Sequence, residues 1–542
     1  MLASPHLSGG RLAWLAGYAG VTFLSFPHLI GERVVDLGLA LAWLGPAFLL
    51  LGLEGLSARR AAALAFGASL VAHAAILHWI WVVTVVYGHA HPAVGVLGPL
   101  GLGAYIAAFT AAFAGLHTRL ARAGWVSPFS PFVVAALWTA LDHLRSFALS
   151  GFPWATLGYA QHGNPLLLAL APFTGVYGLS FVTVLGGAAL ARLARARRSP
   201  RSSSLAAGAA LATVLAAHAA GLLLRAAEPP DPTETVRVAV LQGNIPQGVK
   251  WSREWYERTL GVYEDLSRRA GAQGAELIVW PETAVPGVID TDARHTERLA
   301  AFVRETGAVF VLGAVGLERR GGEEPLRVYD SAFLVSAQGA FTDRYDKSHL
   351  VPFGEYIPFQ DLLGRFIKAI ARGVAETRVT AGTGPRPVQL DAPRSGRLTV
   401  GVAICYELIF PDVVRRFVRD GAEMLLAITN DAWYGHTGAP YQFLAITAMR
   451  SAETRVWTAR AANTGVSAII DARGSVREQT RVFERDLLVA DVPLRPAPRG
   501  GSFYARHGDV FAGACWAGTA MLGIAAGMRL RGARRSERKA GK

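Results

Sequence analysis

Thiols are scarce in this chain: its 542 residues hold two cysteines, Cys405 and Cys515. Cys515 lies in an apolar run near the C-terminus and Cys405 in a stretch of mixed composition. One belongs in lipid and the other in water, so they do not pair, and a disulfide framework is excluded. The fourteen histidines are scattered, and His89-Ala90-His91 lacks a third ligand at a recognised spacing, so no metal site or other cofactor is expected. Charge is scarce too. Asp, Glu, Lys and Arg make up 17% of the chain, against ~25% in soluble domains. Carboxylates are few before about residue 225. The net charge of +14 is carried by short loops and the tail, with no basic stripe interleaved with aromatics. That distribution excludes a nucleic-acid partner and points to membrane orientation and contact with anionic headgroups.

What the chain has in quantity is apolar residues, at 52%. Runs near 11–28, 34–55, 61–87, 93–118, 128–148, 165–191, 204–225 and 508–530 are candidate membrane spans. The first has a thin basic flank and is followed by further spans, so it is expected to be retained rather than cleaved. Asp142, His143 and Arg145 in the fifth run belong at the membrane edge or inside the bundle. Arg59 and Arg60, Arg119 and Arg122, the cluster Arg192–Arg201 and the Arg-rich tail fall in alternate loops. That alternation predicts cytoplasmic termini and an outer, periplasmic domain between spans seven and eight. The expected organisation is a membrane domain of about seven spans at 1–228, a periplasmic catalytic domain at 229–500, and a last span with a basic cytoplasmic tail at 501–542.

The outer domain alternates apolar runs with amphipathic ones, as a covered sheet requires. Strands are expected at 236–242, 277–280, 308–315, 331–335, 398–404, 424–428, 466–470 and 487–492, and helices at 254–270, 292–306, 412–420 and 441–454. Three strand ends carry chemistry. Cys405 closes Leu398–Ile404, where a nucleophile is held rigidly and backbone N–H groups can meet an oxyanion. Glu282 follows Trp280-Pro281, and a carboxylate there can take a thiol proton. Lys347 lies in Asp346-Lys347-Ser348-His349, and its ammonium can stabilise a thiolate and then an oxyanion. Taken singly, each has a plain structural reading: a buried small hydrophobe, a turn cap, a solvated cation. Glu355 can hold Lys347, and a salt bridge alone explains it equally well. His349 and His436 are the partners for a rival Cys-His pair.

Together the three segments resemble the nitrilase superfamily, which uses a Glu-Lys-Cys triad in this chain order. Trp280-Pro281-Glu282, Asp346–His349, Pro352-Phe353-Gly354-Glu355-Tyr356 and Cys405-Tyr406-Glu407 carry the match. With the apolar runs, Gln242–Gln247, Lys250-Trp251 and Asn430–Gly435, the whole chain resembles the membrane-embedded branch, the apolipoprotein N-acyltransferases. The resemblance implies an α-β-β-α sandwich inserted in a bundle of about eight transmembrane helices. It implies ping-pong transfer of an acyl chain, from the sn-1 position of a phospholipid such as phosphatidylethanolamine, through a cysteine thioester. The acceptor is the N-terminal amine of a diacylglyceryl-cysteine on an apolipoprotein. By position, Cys405 is the nucleophile, Glu282 the base and Lys347 the oxyanion stabiliser. Glu355, Trp251, Tyr406, Glu407, Trp433 and Tyr434 support the site or the acyl chain. Tyr434 stands where Phe is common, and Asp330 stands where Asn is expected and is given no role. The segment Phe359–Gly373 is a candidate amphipathic rim facing the membrane. A membrane-tethered amidase, passing the same thioester to water, is the alternative.

Overall fold

The computed structural model describes residues 9–122, 130–196, 200–249, 253–289, 293–319, 326–357, 379–494 and 501–540. The chain falls into two compact units. One comprises Met1–His78, Leu97–Ala227 and Asp509–Lys542; the other comprises Trp79–Val96 and Glu228–Gly508.

The first unit is helical. Among the described residues, three helices are long and apolar enough to cross a membrane: Pro92–Arg122, Ala171–Arg195 and Ser204–Ala226. Gly9–Leu24, Ala58–Ile76 and Ser130–Arg145 are shorter, and Val510–Ala540 is apolar over Val510–Ala525. The run at 34–55 is not one continuous helix. A hairpin of β1 (His28–Ile30) and β2 (Arg33–Val35) precedes Gly38–Leu41 and Leu44–Gly52. The break is local chemistry: Asp36 accepts the Gly38 N–H at 3.1 Å. A Cβ on Gly38 would lie 2.4 Å from the Ala160 carbonyl oxygen, so the backbones meet where only glycine fits. The run at 61–87 also divides, its helix ending at Ile76 and a π-helical turn following at Val82–Tyr87. Arg145 faces the interior of its unit. It donates to the carbonyls of Phe152 and Trp154 at 2.8 and 2.7 Å and to Thr156 Oγ1 at 3.0 Å, with Asp142 at 3.3 Å. A charge there is tolerated because both terminal nitrogens of the guanidinium have partners.

The second unit holds two six-stranded sheets. The first contains β3 (Thr235–Gln242), β4 (Leu277–Val279), β5 (Val309–Glu318), β6 (Arg327–Val335), β7 (Phe341–Asp346) and β14 (Asp486–Pro493), in the order β14-β3-β4-β5-β6-β7. The second contains β8 (Val388–Ala392), β9 (Gly396–Ile404), β10 (Met424–Thr429), β11 (Trp457–Ala462), β12 (Ala468–Ile470) and β13 (Val476–Gln479), in the order β13-β12-β11-β10-β9-β8. The centre of each sheet is parallel and its outer pairs are antiparallel. Helices Arg253–Ala272 and Ala293–Thr306 send Leu260, Tyr263, Leu266, Leu299, Phe302 and Val303 into one core with Ile278, Trp280 and Phe310 of the first sheet. Helices Pro411–Arg419 and Ala439–Thr454 contact β9 and β11 of the second sheet. The sheets meet through β3 with β11 and β6 with β9. Each sheet is therefore covered on one side by helices and on the other by its neighbour, and β10 and β11 are buried along their whole length.

β11 was not expected from the sequence, because Arg460 interrupts its apolar pattern. That arginine is fully buried. Its Nη2 meets Asp431 Oδ2 at 2.7 Å, Nη1 donates to Thr447 Oγ1 at 3.1 Å and Nε donates to the Val466 carbonyl at 3.0 Å. Its guanidinium also lies 4.5 Å over the Phe443 ring. Removing one partner of a buried pair leaves the other charge uncompensated, at a cost of about 3–5 kcal/mol. Arg460→Met is therefore expected to lower the thermal midpoint of the purified protein by ~6 °C or more. A shift of about a degree, measured by differential scanning fluorimetry, would show that Asp431 has found other compensation.

Candidate active site

Glu282 is placed by the exit of β4. Trp280 stacks on Tyr263 at 4.9 Å between centroids, and its indole N–H donates to Ser267 Oγ at 3.0 Å. The turn then lies against β5 at Gly313, where a Cβ would sit 2.0 Å from the Pro281 carbonyl oxygen. Within that turn the Glu282 carboxylate spans both sheets. Oε2 accepts the N–H of Asn430, just past β10, at 2.7 Å, and Oε1 lies 3.4 Å from Lys347 Nζ. Asn430 is itself held by Gln247 and Asn463, at 2.7 and 3.0 Å.

Lys347 follows β7. Its N–H donates to the Asp330 carbonyl at 2.9 Å, and its own carbonyl accepts from Gly382 at 2.8 Å. The side chain is 1% exposed. Its ammonium meets Glu355 at 2.6 Å and Glu282 and Asp330 at 3.4 Å each. Glu355 is fixed in turn, since its second oxygen accepts the Val351 N–H at 2.8 Å. Burial works to lower the Lys347 pKa. The carboxylates of Glu355, Glu282 and Asp330 outweigh it, and the pKa stands well above that of an ordinary lysine. Glu282, Asp330 and Glu355 each bring one oxygen within 4.8 Å of the others. The cation these carboxyls enclose is one the chain supplies.

Cys405 ends β9 with φ = 47°, a left-handed turn that begins the short 3-10 segment Cys405–Ile409. Such a conformation costs a non-glycine residue and needs surroundings that enforce it. Glu407 does so. It is fully buried and accepts from the Ile404 N–H at 2.9 Å, the Tyr345 hydroxyl at 2.7 Å, and the Ser348 N–H and hydroxyl at 2.7 Å each. One carboxylate thus ties the turn carrying Cys405 to the segment that follows Lys347. Burial first, and the Glu282 charge second, raise the Cys405 thiol well above its usual value, with Lys347 acting in the opposite direction. The expected help from the lysine is present and does not prevail, so the resting group is the neutral thiol.

The other expected residues divide by location. Tyr406 packs edge-on to Phe410 at 5.1 Å. Tyr434 lies in the field of Cys405 and packs edge-on to Trp79 at 4.9 Å, while Trp433, 37% exposed, meets Tyr87 at 6.2 Å. Trp251 and the segment Phe359–Gly373 lie outside the described residues. His349 sits against the Phe410 ring at 3.8 Å, and burial and then Lys347 lower its pKa to about 4, so it stays neutral. His436 stacks on Phe483 at 3.8 Å. Sequence reasoning missed the Trp79–Tyr87 segment as part of the site's surroundings, and it marked Asp330 as standing where Asn is expected without giving it a role. The expected strand at 331–335 began one residue after Asp330, which lies inside β6.

Residues 237–497 match the carbon-nitrogen hydrolase family, and residues 18–189 match the apolipoprotein N-acyltransferase N-terminal domain. The two helix-covered sheets and the first of these matches define the class: an α/β domain of nitrilase type, in a chain that also holds a helical membrane unit. Among curated proteins, the chain is 39% identical over 487 residues to the apolipoprotein N-acyltransferase of Geobacter metallireducens, covering 89% of this chain and 90% of that one. To the Pseudomonas aeruginosa apolipoprotein N-acyltransferase it is 35% identical over 460 residues, covering 83% and 85%. A solved amidase from Nesterenkonia sp. is 21% identical, with 49% and 93% covered and a TM-score of 0.35. The chain belongs to the apolipoprotein N-acyltransferase family, and it is a membrane protein and an acyltransferase.

The raised thiol has a measurable consequence. Free cysteine titrates near ~8.5. Alkylation of Cys405 by a small haloacetamide should have its pH midpoint clearly above that, and Glu282→Gln should move the midpoint down by removing a negative neighbour. A midpoint at or below the free-cysteine value, read by mass spectrometry of the Cys405 peptide, would refute the neutral resting thiol.

Proposed function

We propose that Cys405 carries an acyl chain from a phospholipid to the N-terminal amine of a diacylglyceryl-cysteine on an apolipoprotein, with Glu282 as the base and Lys347 as the oxyanion stabiliser. The observation that carries this reading is the buried Lys347 ammonium 3.4 Å from a Glu282 carboxylate that the Asn430 N–H anchors at 2.7 Å, both acting on the Cys405 thiol. Such a thiol needs a base already in position, and Glu282 is held by Asn430 and Lys347 to serve as one.

Glu282 takes the thiol proton as sulfur attacks the ester carbonyl, and Lys347 stabilises the tetrahedral oxyanion. The carbon–oxygen bond breaks, the Glu282 proton passes to the leaving glyceryl oxygen, and a lysophospholipid departs. The acceptor amine then attacks the thioester, Glu282 takes its proton, the carbon–sulfur bond breaks and the thiol is restored. The sn-1 ester of phosphatidylethanolamine is the proposed donor. Glu355 keeps Lys347 in place, Glu407 fixes the turn at Cys405, and Tyr406, Trp433 and Tyr434 support the site or the acyl chain, a role also proposed for Trp251 from the sequence alone.

The proposed setting is a bundle of about eight transmembrane helices with cytoplasmic termini and a periplasmic catalytic domain at 229–500. The alternation of arginine-bearing loops supports it. Hydropathy boundaries leave 79–96 with the membrane part, although this stretch belongs to the compact catalytic unit.

Incubating the purified protein with labelled phospholipid should leave one acyl group on Cys405, visible by mass spectrometry, and Cys405→Ser should lower transfer by ~10³ or more. Wild-type protein with no adduct despite lipid access, or a fully active serine variant, would sink the mechanism.

A further inference from the structure

Asp330 is placed where an ionised carboxylate fits badly. It lies on β6 facing the Lys347 ammonium at 3.4 Å through Oδ2 and is 7% exposed. Glu282 and Glu355 converge on the same ammonium. Three ionised carboxylates around one ammonium would leave excess negative charge in a buried pocket. The three are not equivalent. Glu282 accepts the Asn430 N–H at 2.7 Å; Glu355 accepts the Val351 N–H at 2.8 Å and holds Lys347 at 2.6 Å. These bonds favour their charged forms. Asp330 contacts Lys347 at 3.4 Å, no closer than Glu282 does, and what sets it apart is its Oδ1, buried without a hydrogen-bond donor. An ionised carboxylate can only accept, whereas a protonated one brings its own donor. The acceptor within reach is Glu282.

We propose that Asp330 is held as the neutral acid and donates a hydrogen bond to Glu282, a positioning residue that keeps the base ionised and aimed. This rests on Glu282 being the base. The surrounding groups agree. Burial first, then the Glu282 charge, push Asp330 well above the usual carboxylate range, against the pull of Lys347. The other charges nearby are committed elsewhere: Arg344 and Asp346 on β7 pair with each other, and Asp431 pairs with Arg460. Cys405 rests neutral at the end of β9, and β5 presents Val315 opposite Asp330. For an acid raised in this way, the donor is present below its pKa and is lost as pH rises through it. Ionised Asp330 then repels Glu282 instead of donating to it, and the rate falls on the alkaline side.

Infrared difference spectra of the full-length protein, wild type against Asp330→Asn at neutral pH and without lipid, test this directly. A protonated carboxyl band that shifts in deuterium oxide should be present in wild type and absent from the variant. Isotope-labelled aspartate should move the same band in wild-type protein, whether or not any variant folds. The amide of Asp330→Asn donates in place of the acid. Acyl transfer at neutral pH should therefore stay within about threefold of wild type, with the alkaline fall relieved, while Asp330→Ala loses ~10-fold or more. A band that is missing from wild type, unmoved by aspartate labelling, or retained in Asp330→Asn overturns the proposal. So does a folded Asp330→Asn as impaired as Asp330→Ala. Absence of acyl adduct on Cys405 would instead defeat the reaction scheme and leave these spectra standing.

Discussion

The buried ammonium of Lys347 is the charge on which the rest of the site depends. Its partners come from separate places: Glu282 after β4, Asp330 within β6 and Glu355 in the loop beyond β7. Glu282 and Glu355 could not both stay ionised in a pocket closed to water without it, because like charges at such separations repel strongly and burial gives them no solvent to lean on. The lysine in turn could not be buried without them. The requirement is mutual: displacing Lys347, or the ionised carboxylates it faces, leaves a buried charge uncompensated. Asn430 and Glu407 extend the constraint to the second sheet, one through Glu282 and the other through the turn at Cys405. The site is thereby a consequence of both sheets being in register, and each sheet's burial holds the other's catalytic end in place.

A raised thiol looks at first like a poor nucleophile. The arrangement exchanges a standing population of thiolate for a proton acceptor beside a neutral thiol. In the proposed attack, charge would develop on sulfur only as the proton leaves and Glu282 would become neutral in the same event, so the pocket's net charge would not change. A pre-formed thiolate would add a further anion to a cluster already rich in carboxyls. The neutral thiol is also the less reactive form towards adventitious oxidants and alkylating agents.

Much of this was legible in the sequence, and what was not has a common cause. β3, β5, β9 and β10 follow from continuous apolar runs because both of their faces are covered. Glu282 and Cys405 stood out because each follows such a run, whereas Lys347 follows the polar β7 and stood out only through its motif Asp346-Lys347-Ser348-His349. β11 was hidden by Arg460, whose charge is matched by Asp431, 29 positions earlier. Asp330 was passed over for the same reason: its environment is made by Glu282 and Glu355, neither of which is its neighbour in sequence. The run at 34–55 misled in the opposite way, since its hydropathy is continuous while Asp36 and Gly38 impose a turn. Hydropathy reports the medium a residue prefers. Pairing partners and close backbone approaches are set by the fold, and a local window does not contain them.

The same reasoning bears on why such a site would transfer an acyl group and not hydrolyse it. A thioester is open to attack by water and by an amine alike, and the Glu-Lys-Cys arrangement makes no distinction between them. Selection has to come from what surrounds the sulfur. Here the catalytic unit includes Trp79–Val96, whose Trp79 and Tyr87 pack edge-on against Tyr434 and Trp433. That aromatic layer gains by covering an acyl chain and loses by being wetted. A lipid-borne amine, tethered at the membrane surface, arrives at high effective concentration while bulk water is held away. Transfer over hydrolysis would then be a property of this wall and of the membrane that delivers both substrates, with the buried charges performing the same proton chemistry in either case.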